Sequence, residues 1–160
     1  MATPKLGAWL VIVPLAIGLV VFAVLHPQRS PMPTGADPAD WRGRTAQGLA
    51  ATATINGRWL DGVSVEVRLR CDGGAKAETF VWTPSPDLYA QDGDEVTADE
   101  APQQLAATDG WRRSFDGELR MVVGDHPHGT ASVRLTWVRG ETQVLCRSGP
   151  VAFSLRRSST

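Results

Sequence analysis

The chain predicts a mainly β fold, an antiparallel sandwich preceded by one N-terminal transmembrane helix. Three observations carry this. One apolar run sits at the start, strict two-residue alternation governs the rest, and turn residues punctuate the alternating segments. Leu6 to Leu25, LGAWLVIVPLAIGLVVFAVL, is 20 residues without a charge. As a helix rising about 1.5 Å per residue it would span roughly 30 Å, the thickness of a bilayer's hydrocarbon layer. Val63 to Cys71, VSVEVRLRC, sets Val63, Val65, Val67, Leu69 and Cys71 on one face and Ser64, Glu66, Arg68 and Arg70 on the other. Such alternation belongs to a strand with one buried and one wet face.

Taken in order, residues 1–5 form a short start carrying Lys5, and residues 6–25 form the membrane helix. A cleaved signal peptide is the alternative, but its small-x-small site is poorly placed: Val21-Phe22-Ala23 lies inside the run and Thr34-Gly35-Ala36 well beyond it. The weak positive-inside bias puts the N-terminus in the cytoplasm, so either reading places the remainder outside it. The expected location is therefore the cell membrane, single-pass, with secretion after cleavage as the alternative. Residues 26–44, HPQRSPMPTGADPADWRGR, hold four prolines and read as a stiff tether. Trp41 either caps the domain or lies on the bilayer surface, and capping is the preferred reading.

Residues 45–160 read as the extracytoplasmic β-domain. Ala131, Val133, Leu135 and Trp137 alternate with Ser132, Arg134 and Thr136. Val151, Phe153 and Leu155 form a third set, and Leu119, Met121 and Val123 a fourth; Ala51–Ile55 and Thr79–Trp82 are weaker versions. Asn56-Gly57, Asp72-Gly73-Gly74, Asp116-Gly117 and Gly140-Glu141 supply turn chemistry. Residues 85–110 stand apart as an acidic insert with seven acids and no lysine or arginine. Within it Thr97-x-x-Glu100 resembles a helix capping box, and APQQLAA suits one or two helical turns.

Cys71 and Cys146 are the only cysteines, both on apolar strand faces. In an oxidising compartment they predict one disulfide. With Trp82 they resemble in layout an immunoglobulin-like core, where two cysteines bridge the sheets beneath a tryptophan. The likeness is one of layout and not of family. Val144 stands where that fold places a tyrosine, and CDGGAK reads as a tight hairpin.

The chemistry-bearing residues are few. Asp125, His126 and His128 in VVGDHPHG are the best metal candidates, yet a zinc site needs three or four ligands, and a solvated hairpin turn is the reading adopted. Asp92 to Glu95, DGDE, lacks the longer ligand pattern of a calcium loop. No cofactor is expected. No nucleophile elbow, zincin helix or phosphate loop occurs, which points away from an enzyme. Net charge is −1, with 14 scattered arginines and two lysines, so nucleic acid is not an expected partner. The expected function is a non-catalytic binding module at the cell envelope, facing a protein or envelope partner. The alternatives are an accessory subunit of a larger membrane complex and an enzyme using the His126/His128 loop.

Overall fold

A computed structural model describes residues 38–74 and 77–158, which fall within one compact unit, Thr34–Thr160. The expected start, membrane helix and Pro-rich part of the tether, residues 1–37, lie outside the described residues. No helix among the described residues is long and apolar enough to cross a membrane.

The described chain is antiparallel β-structure. Its strands are β1 (Ala39–Thr45), β2 (Ala50–Asn56), β3 (Trp59–Cys71), β4 (Glu78–Trp82), β5 (Tyr89–Asp92), β6 (Glu95–Thr108), β7 (Trp111–Val122), β8 (His128–Arg139), β9 (Thr142–Arg147) and β10 (Val151–Arg157). The ladder closes on itself. Phe153 of β10 faces Thr45 of β1 on one side and Gly129 of β8 on the other. β8 carries β7 along one edge and shares its other edge between β9 and β10. The closed path is β10–β1–β2–β3–β9–β8 and back to β10. From this ring β4 extends off β3, and β7, β6 and β5 extend off β8.

The alternating residues behave as the period of two requires. Val65, Val67 and Leu69 of β3, Leu119 and Met121 of β7 and Leu135 of β8 are fully buried. Each such side chain contributes about 1.5–3 kcal/mol by leaving water. β1 begins at Ala39, so the last six residues of the segment read as a tether belong to a strand paired on both edges. Trp41 lies in it and packs against the core, the capping role. Past Phe115 the inward side chains are only partly buried. There Trp111 meets Trp137 edge-on at 6.2 Å, and the Arg113 guanidinium sits 5.1 Å over the Trp137 ring.

Residues 85–110 are no insert in the structural sense. A short 3-10 turn, Pro86–Leu88, leads into β5, and a two-residue loop, Gly93-Asp94, joins β5 to the long strand β6. Gly93 takes a positive φ of 60°, which suits the first position of a tight hairpin loop. The expected helical turns over Ala101–Ala107 do not form. Val96 and Ala98 are buried opposite Met121 and Leu119, which commits the segment to pairing with β7. Pro102 escapes the ladder at a bulge, where the register jumps from Glu100–Gly117 to Gln103–Phe115. Its missing N–H costs nothing at an interrupted ladder.

Asp116-Gly117 is likewise not a turn but the middle of β7. The true turn of that hairpin is Asp109-Gly110, where both residues have positive φ, 53° and 77°. Gly117 answers a packing need instead. A Cβ there would sit 2.6 Å from Cε2 and Cζ2 of Trp82, which reaches across from β4.

Candidate functional site

The two cysteines face each other directly across β3 and β9 and form a disulfide, Cys71–Cys146. The bond joins neighbouring strands, whereas the immunoglobulin layout places it between two sheets. Trp82 is buried as that layout would suggest, but it packs against Gly117 and donates its indole N–H to Glu100 Oε2 at 2.6 Å. The segment after Cys71 returns as β4 alongside β3, so a hairpin forms as expected, but its ladder ends at Leu69–Glu78 and six residues separate the strands, which makes it wider than the tight turn read from CDGGAK.

Asp125 and His126 occupy the β7–β8 connection, and His128 opens β8 opposite Val122. All three are exposed, and Pro127 between them is fully buried. The Pro127 carbonyl accepts the Leu155 N–H at 2.8 Å, extending the β8–β10 pairing by one step. His128 Nδ1 lies 2.9 Å from the His126 carbonyl, so the ring addresses the local backbone. No group of three or more histidine, cysteine or carboxylate side chains among the described residues is placed to hold a metal ion. In DGDE, Asp94 instead pairs with Arg58 at 3.0 Å, linking the β5–β6 turn to the β2–β3 turn.

A groove of about 680 Å³ lies on the outer face of β6, β7, β8 and β9. Register builds it. Asp99 of β6 faces Glu118 of β7, and Glu118 faces Ser132 of β8. One step along, Asp116 of β7 faces Arg134 of β8, and Arg134 faces Arg147 of β9. The carboxylates gather on the β6–β7 side and the guanidinium groups on the β8–β9 side. Alternation sends the intervening Leu119, Val133, Leu135 and Cys146 inward, which aims these charges at solvent.

Three contacts temper the groove's charges. Arg120 Nε is 3.0 Å from Glu118 Oε1, Arg134 Nη1 is 3.8 Å from Asp116 Oδ2, and Arg147 Nη2 is 3.4 Å from Asp72 Oδ2. Both partners are substantially exposed in each, so each contributes at most about 1 kcal/mol. Against them stand like charges set directly opposite: Asp99 with Glu118, and Arg134 with Arg147. Such directly opposed like charges destabilise a sheet.

The groove was hidden in the sequence because its lining comes from four strands. The outward positions of Arg134 and Ser132 were legible from the alternation; their neighbours were not. Comparison with family models, curated proteins and solved structures finds no match for this chain.

Proposed function

We propose that the chain is a non-catalytic binding module, held at the cell envelope by the 6–25 helix with its β-domain outside the cytoplasm. The single observation that carries the binding role is the groove: a concave, charge-segregated surface of about 680 Å³ on a sheet stapled by Cys71–Cys146. Rigid frames that present a shaped charged face suit recognition, because little ordering is lost on binding. The disulfide supports the oxidising side of the membrane. The inner faces of β3–β4 and β6–β8, meeting around Trp82, support reading the closed ladder as a two-layer sandwich frame.

An accessory role in a larger membrane complex is the second reading. Gly7 and Gly18 lie 11 residues apart, close to three helical turns, so a helix there would offer one small-residue face to a neighbouring helix. A hydrolytic or metal-dependent role for Asp125, His126 and His128 is the third, and the exposed, locally bonded His128 gives it little support.

Native mass spectrometry of the full chain, extracted in mild detergent from its own membrane, separates the three. The expected result is a chain without metal whose mass is that of the protein alone or with a bound ligand. A stoichiometric second membrane chain would move the assignment to the accessory role. A stoichiometric metal lost from a His126→Ala/His128→Ala variant would overturn the non-catalytic reading.

A further inference from the structure

The arginine side of the groove continues beyond it. Arg147 of β9 faces Arg134 on one side and Arg70 of β3 on the other. Three guanidinium-bearing residues thus stand side by side on three adjacent strands, all on the outer face. Neighbouring strands lie about 4.8 Å apart, so the row spans about 10 Å. Arg68 follows two residues before Arg70 on the same face of β3. Arg147 leans to Asp72 and Arg134 to Asp116, while Arg70 and Arg68 make no ion pair with a described residue. Two of these four arginines, Arg134 and Arg147, therefore have a carboxylate partner, and Glu66 lies two residues before Arg68 on the same face of β3.

We propose that the Arg70–Arg147–Arg134 ladder is a binding site for a phosphate-ester anion. It deepens the binding-module reading by naming the chemistry of the ligand, and it rests on that reading. Guanidinium groups match phosphate oxygens in two-point hydrogen bonds. A phosphate presents oxygens in several directions and carries more than one charge, so it bridges guanidinium groups spaced one strand apart. A carboxylate offers two oxygens in one plane and satisfies one fork at a time. The Cys71–Cys146 bond lies next to the row, since Cys71 adjoins Arg70 and Cys146 adjoins Arg147. It locks β3 to β9 at the point where the like charges would push the strands apart. Asp99, Glu118 and Asp116 border the row on one side and would repel an anion that strayed from it.

The net charge of −1 makes the test discriminating, because the chain as a whole does not attract anions. Inorganic tripolyphosphate is titrated calorimetrically into the full chain in a neutral detergent. The wild type is compared with Arg147→Gln, with the Arg70→Gln/Arg134→Gln/Arg147→Gln triple variant, and with Arg42→Gln/Arg156→Gln. The last removes another directly opposed arginine pair, on β1 and β10. The expected result is binding that weakens about tenfold in Arg147→Gln, disappears in the triple variant and persists in Arg42→Gln/Arg156→Gln. Unfolding midpoints of the four proteins check that each is folded. Absence of binding by the wild type, equal binding by the triple variant, or equal loss in the Arg42/Arg156 variant would each overturn the proposal. Displacement of bound tripolyphosphate by phosphatidylglycerol in the micelle, with phosphatidylcholine inert, would identify a lipid headgroup as the source. Failure of both lipids to displace it would identify a soluble phosphate ester, and either result supports the ladder. This titration is independent of where the domain resides and of which chains accompany it, so its failure leaves the envelope reading standing and the converse also holds.

Discussion

Trp82 and Gly117 are locked together: the indole of the β4 residue fills the space that a side chain on the β7 residue would need. A Cβ at position 117 would lie 2.6 Å from two indole carbons, well inside contact distance. The contact joins the strand that extends from β3 to the group that extends from β8. It is one of the places where the two outlying parts of the sheet pack on each other, along with Phe80 of β4 against Phe115 of β7 at 5.4 Å.

Replacing Gly117 with alanine forces Trp82 or β7 to move. Overpacking of this kind costs about 1–3 kcal/mol. Urea denaturation followed by tryptophan fluorescence should show a lower midpoint with little change in slope. A midpoint equal to that of the wild type would mean the indole has room to shift.

Glu100 accepts the hydrogen bond of an indole that is 1% exposed. Glu100→Ala leaves that N–H without its acceptor, at a cost of roughly 1–3 kcal/mol. Glu100→Gln retains an acceptor oxygen and should recover most of the loss. Equal destabilisation by both variants would show that the carboxylate charge, rather than the bond, is what Trp82 requires.

The Cys71–Cys146 bond closes a loop of 75 residues. In the chain-entropy account this stabilises the domain by about 4 kcal/mol. The Cys71→Ala/Cys146→Ala variant should unfold at a correspondingly lower denaturant concentration, and mild reduction of the wild type should shift its midpoint the same way. Coincident curves for oxidised and reduced protein would refute this.

Tyr89 is the chain's single tyrosine. Its hydroxyl accepts the Val63 N–H and donates to the Pro84 carbonyl, both at 3.2 Å. Burial raises its pKa above the ordinary 10.0, and the Val63 N–H opposes the rise. The folded state therefore holds this proton where the unfolded chain has begun to lose it. The resulting stability is complete below about pH 10 and is lost as pH climbs through the raised native value. Tyrosinate absorbance should appear at higher pH in the folded protein than in the denatured one. Tyr89→Phe should abolish that difference and destabilise the domain by about 1–3 kcal/mol near neutral pH by stripping the two bonds.

Strand identity was legible where side-chain alternation was strong. Val63–Cys71 and Ala131–Val138 lie in β3 and β8 with the faces their pattern requires. It was not legible in β6, whose polar, proline-containing sequence suits a helical turn locally. Only the partner strand β7, with Met121 and Leu119 waiting to be covered, makes it a strand. Asp116-Gly117 misled for a related reason. Glycine meets two different needs, positive φ and close approach, and only the position of Trp82 shows which one applies.

By itself, the sequence determined which residues face inward, that two cysteines were available to pair, and that several hairpins turn on glycine. These are properties of near neighbours along the chain, set by backbone geometry and by the transfer of apolar groups from water. The tertiary structure alone decided which strands lie beside which. Arg70, Arg134 and Arg147 look scattered along the chain, and the pairing of β3, β9 and β8 draws them into one row. Register between distant strands follows from how buried side chains such as Trp82 fill the core, and no local pattern records it.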